Sequence, residues 1–203
     1  MLRIAVLISG GGSNLLSIID NIESGYLDKI DLRYVISDRD NAQGINIAKE
    51  RGYNTVVLDM NEYGKKLSDE ILKKLNNKVD FIVLAGYLSI LTGDIIRVFN
   101  NKIINIHPSL IPSFCGKGMY GIKVHEAAIK KGVKYSGCTV HFVNDGIDEG
   151  KIIDQNIVKV YKEDTAKDLQ GRILKEEHKL LPKVLKELSN KKSIEDYDLV
   201  TSN

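Results

Sequence analysis

The sequence predicts an α/β fold: a mostly parallel, twisted sheet with helices on both faces and an antiparallel hairpin near the C-terminal third. Three observations predict it. Short continuous apolar runs alternate with stretches of helical apolar spacing from the first residues to about residue 106. The first apolar run passes directly into a glycine-rich loop and then a helix, the order of a strand feeding a crossover. In the last third, two strand-like runs are joined by a turn-rich link, which suggests a hairpin or antiparallel edge.

Leu2 to Ile8 is apolar except for Arg3, as expected of a strand covered on both faces. Leu15, Ile18, Ile19 and Ile22 then recur at helical spacing. Leu32 to Ile36 reads as the second strand. Ala42 to Arg51 reads as a helix stopped by Gly52, and Thr55 to Leu58 as the third strand. Glu62 to Leu75 reads as a charged, surface-facing helix. Phe81 to Ala85 is a central strand and Ile103 to Ile106 a fifth. Cys138 to Val143 and Ile152 to Val160 form the hairpin arms. Thr165 is the N-cap of a long helix whose apolar face carries Leu169, Ile173, Leu180 and Leu181, and which Pro182 kinks or ends. Residues 1–190 read as a single domain, with an N-terminal half of about 1–100, a C-terminal half of about 101–190, and a polar, loose tail over 191–203.

Bulk composition narrows the function classes. The 203 residues suffice for a sizeable core. Lys and Arg number 29 against 27 Asp and Glu, a net charge of +2, too balanced to indicate nucleic-acid binding. The two cysteines, Cys115 and Cys138, have no metal spacing and fit a reducing cytoplasm. The run from Phe81 to Leu91 is too short to span a bilayer, and no leader precedes Leu2.

The most informative stretch is Asn105-Ile106-His107-Pro108-Ser109-Leu110-Ile111-Pro112. In an extended segment Asn105 and His107 project to the same side. Pro108 keeps His107 out of helical geometry. An amide donor and a titratable imidazole therefore stand side by side at a strand end, able to stabilise an oxyanion or pass a proton. Read without context, the same pair simply caps a strand.

Four other groups bear on chemistry. Ser9-Gly10-Gly11-Gly12-Ser13-Asn14 joins the first strand to the first helix; its backbone N–H groups and the helix N-terminus suit a phosphate, or the loop is a tight turn capped by Ser13 or Asn14. It is neither G-x-G-x-x-G nor a P-loop, and Ser37-Asp38-Arg39-Asp40 is ambiguous as a dinucleotide signature. Ala85 to Leu91 follows the central strand, where Gly86 admits a flat ligand near the backbone and apolar neighbours wall a pocket, or the stretch simply enters the core. Asp145, Asp148 and Glu149 lie in a glycine-bounded link: a solvated turn, a cation site without EF-hand spacing, or one carboxylate turned inward to His107. His125 and His178 fall on helices as surface or packing residues, whereas His141 lies opposite Val140 and Phe142 and is placed to line a cleft. No histidine pair has helical zinc spacing, and Ser109 and Ser113 lack a nucleophile elbow.

Taken together, these segments resemble the folate-dependent formyltransferase family. The resemblance runs from Leu2 to about Lys186, through Ser9 to Asn14, Leu84 to Tyr87, Asn105 to Pro112, Val140 to Val143, the Asp145–Asp148 pair and Glu176-Glu177-His178. It implies a Rossmann-like formyltransferase fold and, for the purine-pathway branch, transfer of a formyl group from 10-formyltetrahydrofolate to the amine of glycinamide ribonucleotide. It implies that Asn105 holds the developing oxyanion, that His107 donates a proton, and that Asp148 keeps His107 charged and relays the amine's proton. It places Gly11, Gly12, Ser13, Asn14 and Glu177 on the nucleotide, and Tyr87, Leu88, Ser89, Ile90, Leu91 and Asn105 on the folate. The likeness implies small-molecule substrates; with the charge balance, the short apolar runs, the lack of metal spacing and the cysteine usage, the expectation is no metal, no nucleic acid, no membrane and a cytoplasmic location, as a monomer or homodimer.

Two departures from the family pattern stand out. Many relatives carry a folate-contacting arginine where this chain reads Tyr63-Gly64-Lys65-Lys66, so Lys65 or Lys66 is the expected substitute. After Pro112 the chain reads Ser113 to Gly121, a glycine-rich loop expected to act as a lid with Lys117 facing an anion. The alternatives are a formyltetrahydrofolate hydrolase on the same fold and a catalytically silent folate- or nucleotide-binding module.

Overall fold

A computed structural model describes residues 1–191. The expected polar tail lies, beyond Lys191, outside the described residues. The strands are β1 (Leu2–Ile8), β2 (Ile30–Ser37), β3 (Thr55–Val57), β4 (Phe81–Leu84), β5 (Ile103–His107), β6 (Tyr135–Phe142) and β7 (Ile152–Lys159). The helices are α1 (Ser13–Glu23), α2 (Gln43–Glu50), α3 (Met60–Tyr63), α4 (Leu67–Leu75), α5 (Asp94–Val98), α6 (Ile122–Lys131) and α7 (Ala166–Asn190).

The sheet order is β3-β2-β1-β4-β5-β6-β7. Pairing is parallel from β3 to β5 and antiparallel across β5, β6 and β7. The expected hairpin is therefore present, and it extends the sheet by pairing back onto β5. After β1 the chain moves to one side through β2 and β3, then returns to the other side at β4. The carboxyl ends of β1 and β4 thus diverge at a topological switch point, where open α/β sheets form their ligand crevice.

Alternation along β1 builds two cores. Ile4, Val6 and Ile8 pack with residues of α1, α2 and α7, including Leu15, Ile18, Ile45 and Leu181. Ala5 and Leu7 pack on the opposite face with Ile71 and Leu75 of α4 and with Ile95 and Ile96 of α5. All five of these β1 residues are fully buried, which is why the strand reads as one continuous apolar run.

The expected helix over Glu62 to Leu75 is corrected: it is broken into α3, a 3₁₀ turn over Gly64–Lys66, and α4. Gly64 takes φ 51 and ψ −126, a conformation open essentially to glycine alone, so the helix cannot run through it. Nor is this stretch wholly surface-facing, because Leu67, Ser68, Ile71 and Leu75 are buried. At the other end of the chain Thr165 caps α7 with a full capping box to Asp168, and the helix continues past Pro182 to Asn190.

Candidate active site

A cavity of about 600 Å³ opens at the switch point, a volume suited to a small-molecule ligand. The loop after β1, the loop after β4, the end of β5, the Gly116–Gly121 loop and Asp148 all line it.

At one end lies the start of α1. Gly12 is its N-cap, with φ 74 and no side-chain cap, and Ser13 is already helical. The capping role expected of Ser13 or Asn14 is therefore not taken up. Nor does any acidic residue occupy the first turn. Its N–H groups remain available to an anion. The loop is fixed from behind by α2, where Gly44 N–H donates to the Gly10 carbonyl at 3.0 Å. The approach is so close that a Cβ on Gly12 would stand 2.8 Å from the Gly44 Cα. Asn14 turns inward and donates from Nδ2 to Glu177 Oε2 at 2.7 Å, tying the loop to α7. Glu177 is 6% exposed, and burial raises its pKa against the opposing hydrogen bond from Asn14. The Asn14 Oδ1 is buried without a partner.

The opposite wall is Tyr87 to Leu91, anchored where Leu88 N–H donates to Ser9 Oγ at 2.7 Å. Leu88 and Ile90 are 44% and 62% exposed and form an apolar lip to the cavity. Ser89 Oγ donates to Asp38 at 2.5 Å. Asp38 is buried and is not among the cavity-lining residues; its Oδ2 takes the Ser89 bond and its Oδ1 is buried without a partner. Tyr87 is buried, its hydroxyl has no partner, and its pKa is raised by burial and by the charge of Asp38.

Between the two walls stand Asn105 and His107, on one side of β5 as the alternation requires. Of the three acids in the link, Asp148 lines the cavity, with its Oδ2 3.7 Å from His107 Nδ1. It sits at φ 59, a left-handed conformation that Asp tolerates better than most residues. Its Oδ2 also accepts the Gly116 N–H at 2.9 Å. His107 Nε2 lies 3.0 Å from the Phe114 carbonyl, so it donates there. The glycine-rich loop is thereby joined to both residues through its backbone.

Two further histidines close the site. His141 pairs in register with Asn105, and its Nε2 lies 3.1 Å from Asn105 Nδ2. Its Nδ1 lies 2.8 Å from the Phe142 carbonyl. Burial lowers the His141 pKa and His107 acts in the same direction, while the Phe142 carbonyl and Asp148 oppose them. His125 of α6, read as a surface or packing residue, is 2% exposed and lines the cavity. Its pKa is lowered to about 4, chiefly by burial and then by His107.

The structure brings together every expected site residue except Lys65, which is exposed on the 3₁₀ turn and not among the cavity-lining residues. Gln170 and Leu174 of α7 also line the cavity and were not anticipated. They share a helical face with Glu177, so the spacing i, i+4, i+7 was the available signal. Gly44 gave no such signal, since its partner Gly12 is distant in sequence. Among the described residues no group of three or more His, Cys, Asp or Glu could hold a metal ion, and no helix is long and apolar enough to cross a membrane.

Residues 2–185 match the family model described as formyl transferase. The chain is 39% identical over 197 residues to the chloroplastic phosphoribosylglycinamide formyltransferase of Vigna unguiculata, covering 95% of this chain and 62% of that one. Against the Arabidopsis thaliana counterpart it is also 39% identical, covering 90% of this chain and 64% of that one. The chain thus spans less than two thirds of these curated relatives. Among solved structures, glycinamide ribonucleotide transformylase 1 from Symbiobacterium toebii superposes with a TM-score of 0.86 at 40% identity, covering 93% of this chain and 88% of that one. Phosphoribosylglycinamide formyltransferase from Bacillus halodurans gives 0.86 at 34% identity, covering 94% and 97%.

Proposed function

The chain belongs to the formyl transferase family, and on that premise we propose that it transfers the formyl group of 10-formyltetrahydrofolate to the amine of glycinamide ribonucleotide in purine biosynthesis. The observation that carries the reading is the placement of Asn105, His107 and Asp148 in one cavity between an uncapped helix N-terminus and an apolar lip. A phosphorylated amine suits the helix N-terminus, and an acyl donor with a flat ring system suits the apolar lip.

The nucleotide phosphate sits on the N–H groups after Gly11 and Gly12, with Ser13 at its edge. The sugar lies deeper, where Glu177 accepts hydroxyl protons and the unpartnered Asn14 Oδ1 gains one. The pteridine lies against Tyr87 to Leu91 and takes hydrogen bonds from that backbone. The amine nitrogen attacks the formyl carbon, and the carbonyl oxygen gathers negative charge. Asn105 donates an amide N–H to that oxygen. With His107 Nε2 held by the Phe114 carbonyl, the Nδ1–H of the imidazolium donates to that oxygen or to the departing folate nitrogen. Asp148 balances the imidazolium and takes up the proton the amine loses; the His107 proton goes to the departing folate nitrogen, and transfer of the proton from Asp148 to His107 restores the pair. Preorganised donors of this kind act on charge that exists only in the transition state, and so raise kcat rather than ground-state affinity.

Lys65, exposed on its turn, contacts the outer end of the folate if the turn moves inward. The free thiols of Cys115 and Cys138 support a reducing compartment such as the cytoplasm. The test is release of a tetrahydrofolate analogue, followed by absorbance with and without glycinamide ribonucleotide. Release that requires the nucleotide is the expected result. Release without it makes the protein a hydrolase, and no release makes it a binding module.

A further inference from the structure

We propose that His141 is a positioning residue that holds the Asn105 carboxamide in the orientation needed to bind the oxyanion, a step that rests on the formyl-transfer reading. The assignment follows from hydrogen-bond accounting around one buried ring. The Phe142 carbonyl is an acceptor only, so the ring nitrogen 2.8 Å from it, Nδ1, carries a proton. The ring is 2% exposed, and burial keeps it neutral. A neutral imidazole protonated at Nδ1 has a bare lone pair at Nε2. The group 3.1 Å from that lone pair on Asn105 must therefore be the amide NH₂ and not the amide oxygen. One amide hydrogen is spent on His141. The second hydrogen of the same NH₂ is left for a ligand in the cavity, at fixed direction.

Were His141 charged, Nε2 would become a donor and Asn105 would have to flip, turning its oxygen towards the ring. The Asp148 Oδ1, 3.7 Å from Nε2, would then be drawn to His141 and away from His107. A single carboxylate faces two imidazoles, and the neutrality of His141 leaves it to His107. The groups facing His141 are thus Asn105 on β5, Asp148 on the link, His107 on β5 and the Phe142 carbonyl on its own strand. Their arrangement makes His141 an acceptor for Asn105 and a bystander to the His107–Asp148 pair.

The test combines a mutant cycle with a direct observation of the tautomer. His141→Asn keeps a donor for the Phe142 carbonyl and removes the acceptor at Nε2. It should lower kcat by roughly 10²-fold, the scale for a misaimed catalytic group, with glycinamide ribonucleotide affinity unchanged. In an Asn105→Ala background the same substitution should cost nothing further, because the group it positions is gone. His141→Gln, whose amide oxygen reaches the place of Nε2, should recover part of the loss. A full loss repeated in the Asn105→Ala background overturns the proposal. Nitrogen-15 NMR of histidine-labelled wild-type protein should find His141 protonated at Nδ1 and bare at Nε2. A proton at Nε2 overturns the proposal as well. An inactive wild-type enzyme with the expected tautomer would refute the formyl-transfer reading while upholding the His141–Asn105 geometry.

Discussion

Acid should destabilise this fold through His125 by roughly 3 kcal/mol. The ring is 2% exposed and its Nδ1 is buried without a hydrogen-bond partner. Its pKa falls from the ordinary 6.5 to about 4, first through burial and then through the charge of His107. The unfolded chain therefore takes up a proton that the folded chain refuses. Above the ordinary value neither form holds the proton, and the stability is fully present. As the pH falls below it, each pH unit removes about 1.4 kcal/mol. By the folded value of about 4 the loss is roughly 3 kcal/mol, after which the curve flattens. That is a large share of the 5–15 kcal/mol typical of a domain. The assay is urea denaturation at a series of pH values, for the wild type and for His125→Gln. Burial also lowers the pKa values of His141 and His178, so the wild-type slope alone mixes several groups. The difference between the two curves isolates His125. It should grow by roughly 3 kcal/mol between about pH 7 and about pH 4. Parallel curves would refute the reasoning, because they would mean that His125 titrates alike in both states.

Three other outcomes follow from the site. His107→Asn and Asp148→Asn should each lower kcat by roughly 10²-fold or more, with nucleotide affinity held, and the double variant should lose little beyond either single one, as steady-state kinetics will measure. Asn is the right replacement at 148 because it accepts the left-handed φ of 59 found there. Gly44→Ala should cost about 1–3 kcal/mol of stability and raise the KM for the nucleotide more than that for the folate, since the new Cβ would meet Ile8 Cδ1 at 2.6 Å and Gly12 Cα at 3.0 Å. Glu177→Gln should raise the melting temperature at neutral pH while weakening the nucleotide. The folded carboxyl keeps its proton above the ordinary 4.5, so wild-type stability falls as pH rises from that value through the raised one, and glutamine abolishes the fall.

The parallel half of the fold was legible because strands buried on both faces must be apolar throughout, as Leu2–Ile8 and Phe81–Leu84 are. The short helix Asp94–Val98 was not, since five residues hold too little periodicity to register. Gly64 falls inside the expected helix Glu62 to Leu75, and only its backbone angles make it a break. In the site, Asn105 and His107 could be paired by strand alternation alone. The choice of Asp148 over Asp145 and Glu149 could not be made that way, because a left-handed turn decides which acid points inward. The Asn105–His141 contact depends on antiparallel register between β5 and β6, and one residue of slip would send either side chain to the other face. The wall Leu88 to Leu91 was readable as a pocket edge, whereas its tether to Asp38 required two distant loops to meet.

The most direct measurement of the central claim follows the carbon itself. The protein is incubated with glycinamide ribonucleotide and 10-formyltetrahydrofolate carrying carbon-13 in the formyl group, and the products are resolved by mass spectrometry. Label recovered on the nucleotide's amine nitrogen as a formamide, and lost from that position in Asn105→Ala and His107→Asn, is the predicted result. Label recovered as free formate, with the nucleotide unchanged, would contradict it.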